Sequence, residues 1–146
     1  MIQKDKDKRE VNFGMNVLVV VDMQNDFITG PLGNKECQSV VGNVADIVKS
    51  GNYDRIIVTR DTHYKNYHNT QEGRKLPVEH CIVGTDGWKI HKDLVIENAK
   101  IFDKPTFGSV DLANYFMERE EKMEFELVGV CTDICVISNA MLLKAY

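Results

Sequence analysis

The chain has 146 residues, of which 43% are hydrophobic and 27% are charged, as expected for one soluble globular domain that can bury a sizeable core. Its formal net charge of −4 argues against a nucleic-acid-binding surface, because phosphate recognition needs a concentrated excess of Lys and Arg. No stretch approaches the roughly 18 apolar residues that span a bilayer and the N-terminus lacks the apolar stretch of a signal peptide, so we expect a cytoplasmic protein without membrane contact.

The predicted elements alternate along the chain. Residues 1–15, with the mixed-charge stretch KDKDKR, are interpreted as a polar tail, and residues 16–146 as one domain. The continuous apolar run rich in Val at 16–22 predicts a strand buried on both faces, as in parallel sheets, and 54–61 predicts a second buried strand. A third, short strand is predicted over 100–104 and a fourth over 125–130. Apolar residues at helical spacing predict helices over 36–50, over 109–122 and from 132 onward, while a loop-rich insertion with one or two short helices fills 62–98.

This order of elements predicts the fold class. Strands that alternate with helices favour right-handed crossover connections and an α/β fold, with a parallel β-sheet covered by helices on both faces. The sequence ends inside its last predicted helix, without the Gly, Asn or Pro that commonly follows a helix. We therefore expect a sheet that is incomplete on its C-terminal side.

Reactive side chains follow the ends of all four predicted strands. Asp22 ends the first strand, Asp61 and His63 follow the second, Lys104 ends the third, and Cys135 comes shortly after the fourth. Ligands of open α/β sheets bind beyond the carboxyl ends of the strands. We therefore expect these side chains to lie together in one site.

Cys135 is the candidate nucleophile. In the first turn of a helix, unpaired N–H groups and the positive end of the helix dipole are expected to lower its thiol pKa and could hold an oxyanion. Asp22 would accept and return the proton, and the Lys104 ammonium would stabilise both anions. The alternative is that Cys135 is an inert packing residue, the role expected for Cys131 at the strand end. All four cysteines are expected to be thiols.

The insertion carries a candidate metal site. Asp61 and His63 are two residues apart in an extended stretch, and His80 returns after a loop that could close a chelate ring. One carboxylate and two imidazoles suit Zn²⁺, with Mn²⁺ or Fe²⁺ as alternatives, and Glu72 or His68 could add a ligand. A hydrogen-bonded polar loop without a metal is the competing interpretation.

Five motifs, in order, resemble one protein family. VVVDMQNDF, TRDTH, LPVEHCIVGTDGW, FDKPTFGS and GVCTDICV are similar to motifs of the isochorismatase-like cysteine hydrolases, most of all of their nicotinamidase (pyrazinamidase) branch. The resemblance runs from Asn16 to the end of the chain. It implies a three-layer α/β/α fold, here expected to lack the C-terminal strand and helix of the family, and a homo-oligomer.

The resemblance also implies a role for each matching residue. It makes Asp22 the general base and acid, Lys104 its cationic partner and Cys135 the nucleophile. It further implies a cis peptide bond between Val130 and Cys131 and an oxyanion hole formed by the N–H groups of Cys131 and Cys135. The implied metal ligands are Asp61, His63, His80 and, less directly, Glu72, with the metal binding the pyridine nitrogen of nicotinamide.

The expected function is therefore a cysteine amidohydrolase of NAD metabolism that converts a small carboxamide, with nicotinamide the leading candidate, into an acid and ammonia through a thioester. Phe27 matches an aromatic residue that lines the family's substrate pocket, whereas Leu76 stands where a second aromatic is usual. The alternatives are another C–N hydrolase, acting on carbamoyl or ureido compounds, and a catalytically silent metal-binding member.

Overall fold

Residues 14–145 are described in a computed structural model. Its strands are β1 (Met15–Val21), β2 (Arg55–Asp61), β3 (Lys100–Lys104) and β4 (Met123–Gly129). Its α-helices are α1 (Asn25–Ile28), α2 (Lys35–Lys49), α3 (Gln71–Lys75), α4 (Val110–Met117) and α5 (Ile137–Ala145). A 3₁₀ turn spans Tyr67–Asn69, and a π-helical turn, Thr132–Val136, leads into α5.

The four strands form one parallel sheet in the order β3-β2-β1-β4. The central strand β1 pairs with β2 on one side and with β4 on the other, and residues 17–21 have no solvent exposure. Because every strand runs in the same direction, the carboxyl ends of all four meet at one edge of the sheet. That edge collects the side chains of the candidate site.

Helices cover both faces of the sheet. On one face, Leu18 and Val20 of β1 pack in a cluster with the apolar side of α2, and on the other, Val17 and Val19 pack with α4 residues such as Leu112. The alternation follows from the two-residue period of a strand. The predicted α/β fold with a parallel sheet covered on both faces is confirmed.

Some boundaries differ from the prediction. The helix predicted over 109–122 ends at Met117, where the Arg119 N–H donates to the Phe116 carbonyl and the Arg119 guanidinium packs on the Tyr115 ring. This early end leaves room for β4 to begin at Met123, two residues before the predicted start.

The two ends of the predicted domain differ in a similar way. Met15, assigned to the polar tail, is the first residue of β1, and the rest of that predicted tail, apart from Gly14, lies outside the described residues. The last predicted helix is interrupted, since its first five residues form the π-helical turn. Within residues 14–145, no helix has the length and apolar character needed to cross a membrane.

Candidate active site and metal centre

The strand ends bring a carboxylate, an ammonium and a thiol into contact. The Lys104 Nζ lies 2.6 Å from Asp22 Oδ2 and 3.8 Å from Cys135 Sγ, and it donates to the Thr106 carbonyl at 3.1 Å. All three side chains of this group are buried. A lysine between a carboxylate and a sulfur can stabilise negative charge on either partner, whichever holds it.

Asp22 stands directly after β1 with a backbone φ of 48°. Its Oδ1 accepts a 2.7 Å hydrogen bond from the Thr59 hydroxyl of β2. Burial raises the pKa of Asp22, with Lys104 acting in the opposite direction. For Lys104, burial lowers the pKa, but the carboxylate of Asp22 outweighs it and the net change is upward. The site therefore keeps a charged lysine beside a carboxyl group that holds a proton more readily than an exposed aspartate does.

Cys135 differs from the expectation of a lowered thiol pKa. It is the fourth residue of the π-helical turn rather than part of the first turn of an α-helix. Burial raises the pKa of the Cys135 thiol and the negative charge of Asp22 raises it further, while Lys104 opposes both. The predicted lowering is therefore wrong, because desolvation and a neighbouring carboxylate outweigh the ammonium. Burial and the charge of Asp22 therefore favour the thiol form of Cys135 over the thiolate.

Cys131 immediately precedes this turn, and the peptide bond between Val130 and Cys131 is cis. Its carbonyl accepts hydrogen bonds from the N–H groups of Ile134 and Val136, whereas its own N–H donates none to the part of the chain that the structure describes. Its side chain packs against the same cluster as Cys37, and burial raises its pKa to about 11. The four cysteines are free thiols, as predicted.

Asp61, His63 and His80 form a compact cluster beside the Lys104 group. Asp61 Oδ2 lies 2.9 Å from His63 Nε2 and 3.3 Å from His80 Nε2, and one ligand atom from each residue falls within 4.8 Å of the others. Asp61 Oδ1 is 3.7 Å from Lys104 Nζ. The metal-ligand candidates and the Asp22–Lys104–Cys135 group therefore share one edge of the sheet, with Asp61 next to both.

The donor set fits a divalent metal. His63 Nε2 is buried and makes no hydrogen bond to the described residues, although the site is polar. His80 Nδ1 lies 2.8 Å from the Val78 carbonyl, so a proton on Nδ1 leaves Nε2 free to face Asp61. One carboxylate and two imidazole nitrogens are ligands that Zn²⁺ and related ions take.

Contacts within the cluster shift the pKa values of Asp61 and His80. Burial alone would raise the pKa of Asp61, but its close contacts with His63 and His80 bring it well below its usual range. Burial alone would lower the pKa of His80, but its contacts with Asp61 and Glu72 raise it to about 10. The carboxylate is thus held ionised, as a metal ligand must be, whereas a metal would have to displace the proton that these contacts favour on His80, because a ligating imidazole is neutral.

Of the two further ligand candidates, Glu72 lies near the cluster and His68 does not. Glu72 Oε1, on α3, is 3.6 Å from His80 Nε2 and 3.8 Å from His63 Nε2. His68 is exposed and pairs instead with Glu79 at 3.1 Å. Of these two candidates, the one that is nearer to His63 in sequence is therefore not the one that approaches it in space.

The two proposed pocket residues are placed differently. Phe27 is nearly buried, and its ring lies 5.5 Å from that of His80 in a tilted arrangement. The Leu76 side chain is 38% exposed, and its carbonyl accepts a 2.8 Å hydrogen bond from the Tyr67 hydroxyl. The Phe27 ring is thus within contact distance of the metal-ligand cluster, whereas the hydrogen bond of Leu76 is to Tyr67.

Three buried residues of the site were not predicted from sequence. Tyr67 packs edge-on against His63, with ring centroids 4.8 Å apart. The Asn139 amide donates to the Cys135 carbonyl at 2.8 Å and accepts from the Ser109 N–H at 2.9 Å. Gln24 hydrogen-bonds to the backbone of Asp61. Gln24 could have been suspected from its place two residues after a strand-end aspartate, but the contacts of Tyr67 and Asn139 have no local sequence signal.

Comparisons with a family model and with known sequences lead to the same family. The isochorismatase domain model matches residues 16–146. The chain is 31% identical to a nicotinamidase of Saccharomyces cerevisiae, over 87% of this chain and 80% of that protein.

Solved structures agree. An isochorismatase-like hydrolase from Alkaliphilus metalliredigens matches with a TM-score of 0.76 and 26% identity, over 90% of this chain and 75% of that one. A pyrazinamidase from Pyrococcus horikoshii, solved in complex with zinc, matches with a TM-score of 0.70 and 27% identity, over 87% and 76% of the two chains. Sequence and fold lead to the same conclusion: the chain belongs to the isochorismatase family.

Proposed function

We propose that the protein is a cysteine amidohydrolase that acts on a small carboxamide, with nicotinamide as the leading substrate. The observation that carries this proposal is the contact of Lys104 with both Asp22 and Cys135, next to a cluster of one carboxylate and two histidines. The similarity to nicotinamidases supports the same substrate class.

In the proposed reaction, Asp22 takes the proton of the Cys135 thiol, and the sulfur attacks the carbonyl carbon of the amide. The carbonyl oxygen becomes an oxyanion, which the N–H groups of Cys131 and Cys135 bind. Asp22 then gives its proton to the departing nitrogen, so that ammonia leaves and a thioester remains. A water molecule loses a proton to Asp22 and attacks the thioester, which releases the acid and returns the thiol.

The raised pKa of Asp22 suits both halves of this cycle. An aspartate with an ordinary pKa near 3.9 is a poor acid at neutral pH, whereas a buried one can carry a proton from the thiol to the leaving group. Lys104 stays charged throughout and stabilises the anion that remains, first the carboxylate and then the thiolate.

Asp61, His63 and His80 would hold a divalent metal, most favourably Zn²⁺ with Mn²⁺ or Fe²⁺ as alternatives, and Glu72 is near enough to contribute. When bound, the ion would supply a Lewis-acid position for a ring nitrogen of the substrate. Phe27 would pack against that ring from the side of His80.

Ammonia release from nicotinamide tests the proposal. We expect the wild-type protein to release ammonia and nicotinate, and the Cys135→Ala variant to lose activity by at least a thousandfold while keeping its fold. Cys37→Ala, which removes a buried thiol of α2, serves as the matched control and should retain activity. Full activity of Cys135→Ala would refute the mechanism.

A second candidate function is hydrolysis of a carbamoyl or ureido C–N bond. It is favoured by Leu76, which offers no ring for stacking where the family usually has an aromatic residue. A panel containing nicotinamide, pyrazinamide and N-carbamoyl compounds separates the two by their relative kcat/KM. If no member of the panel is turned over while metal binds, the protein is a catalytically silent metal-binding member. A cytoplasmic location and a homo-oligomeric state remain predictions.

A further inference from the structure

Gln24 makes an unusual set of contacts for a residue outside the proposed chemistry. Its side chain is completely buried. Its Nε2 donates to the carbonyls of Asp61 at 2.8 Å and Trp88 at 2.9 Å, and its Oε1 accepts from the Asp61 N–H at 2.7 Å. Both backbone groups of Asp61 are thus bonded to one side-chain amide.

This amide takes the place of a neighbouring strand. The register of β1 with β2 ends at Val21 and Thr59, and the Asp22 N–H adds one bond to the Thr59 carbonyl. Two residues farther along β2, the chain of β1 has turned away, and the Gln24 side chain pairs with Asp61 instead. On the opposite side, Asp61 is in register with Lys104 of β3. The backbone of Asp61 is therefore held between a side-chain amide and a strand.

We propose that Gln24 is a positioning residue for the metal site, which it serves by fixing the backbone of Asp61. The inference rests on the proposed metal binding by Asp61, His63 and His80. The Asp61 carboxylate has one oxygen 2.9 Å from His63 Nε2 and the other 3.7 Å from Lys104 Nζ. A shift of the Asp61 backbone would change both distances, so Gln24 also sets the spacing between the metal ligands and Lys104.

The second hydrogen bond that Gln24 Nε2 donates extends this role to the insertion between β2 and β3. Trp88 makes two contacts here. Its carbonyl accepts the hydrogen bond from Gln24, and its indole Nε1 donates to the Thr62 hydroxyl at 2.9 Å. Thr62 lies between the ligands Asp61 and His63. Gln24 thus holds the ligand-bearing end of β2 directly and, through Trp88, from the insertion side.

Metal affinity measured without turnover tests the role. Gln24→Met keeps the approximate length of the side chain and removes all three hydrogen bonds. We expect its Zn²⁺ affinity, measured by competition with a chromophoric chelator, to fall by about 10- to 100-fold, the range for partners that orient metal ligands. With Co²⁺ at saturation, we expect altered visible absorption bands, since these report ligand geometry.

Two controls separate positioning from general stability. Gln38→Met changes an exposed glutamine of α2 whose Nε2 also donates to a backbone carbonyl, that of Ile28 at 3.1 Å, and should leave metal affinity unchanged. Val48→Ala opens a small cavity under α2 and should lower the melting temperature without changing metal affinity. If Gln24→Met does not fold, Gln24→Asn, which keeps an amide but is one methylene too short, takes its place with the same expectation.

The outcomes are distinguishable. If the wild-type protein binds neither Zn²⁺ nor Co²⁺, the metal part of the proposed function fails and the role of Gln24 fails with it. If the wild-type protein binds metal and the folded Gln24 variant binds it within twofold with the same Co²⁺ spectrum, the positioning role alone is refuted.

Discussion

Replacing Asp22 by Asn should make Cys135 more reactive toward an alkylating reagent while abolishing turnover. Asp22 raises the pKa of the Cys135 thiol, so removal of its charge should lower that pKa and increase the thiolate fraction at neutral pH. Asn is a suitable replacement because the backbone φ of 48° is a conformation that Asn adopts more readily than most residues.

The magnitude follows from the two contacts of Lys104. Its Nζ is 2.6 Å from the carboxylate and 3.8 Å from the sulfur, so the two anions are at most about 6.4 Å apart. At that distance and an effective dielectric constant of about 20, the repulsion is about 2 to 3 kcal/mol, or about two pKa units. In the Asp22→Asn variant, the Asp61 carboxylate remains next to Lys104, 3.7 Å from its Nζ, and this negative charge favours the charged form of Lys104. We expect alkylation to be at least tenfold faster.

The assay is iodoacetamide labelling as a function of pH, with the modified cysteine identified by mass spectrometry of peptides. In the wild-type protein, the rate at Cys135 should keep rising with pH beyond the range in which a free cysteine levels off, because its pKa is raised. Asp133→Asn removes a neighbouring exposed carboxylate and should change the Cys135 rate by less than threefold. Slower labelling of Asp22→Asn at every pH would refute the argument, since the charge of Asp22 in the free protein would then lower the pKa of the Cys135 thiol rather than raise it.

Two further predictions test the ammonium and the backbone of the site. Lys104→Met should lower the rate of ammonia release by at least a hundredfold and slow the alkylation of Cys135, because Lys104 lowers the thiol pKa; unchanged labelling would contradict this role. Gly129→Ala should destabilise the fold by about 1 to 3 kcal/mol in urea unfolding, because Gly129 has φ of 128° and an added Cβ would meet the Val21 carbonyl oxygen of β1. Gly42→Ala, in α2 with nothing beyond the adjacent residues and the nearby backbone of its own helix within 4 Å of the added Cβ, should instead stabilise it by about 0.5 to 1 kcal/mol, and equal effects at the two glycines would contradict the described backbone.

The sheet and the edge that carries the candidate site were predictable because their signals are local. The apolar runs of β1 and β2 and the short strand at 100–104 can each be recognised in the sequence, as can the residue that ends each of them. Parallel pairing then brings these residues to one edge, which is how Asp22, Asp61 and Lys104 could be placed together before any coordinates. Prediction of the fold therefore required no knowledge of side-chain contacts.

What could not be predicted depends on pairs of residues that are distant in sequence. The amide of Gln24 reaches Asp61 and Trp88, which are 37 and 64 residues away. The pKa of Cys135 depends on burial and on Asp22 from another strand, so reasoning from its own turn gave the wrong direction. The end of α4 at Met117 depends on where β4 must begin, which no helical periodicity reports.

The connection between β2 and β3 suggests how the substrate preference of this protein could be changed. Residues 62–99 contribute His63, Glu72 and His80, whereas Asp22, Lys104 and Cys135 stand at strand ends or in the turn after β4. On the proposed function, the groups that would hold the ring of the substrate, apart from Phe27 and Asp61, are thus separate in sequence from the residues that would cleave the bond. Exchanging residues 62–99 between relatives is therefore a way to change substrate preference. Asp61, which contacts both His63 and Lys104, would stay in place.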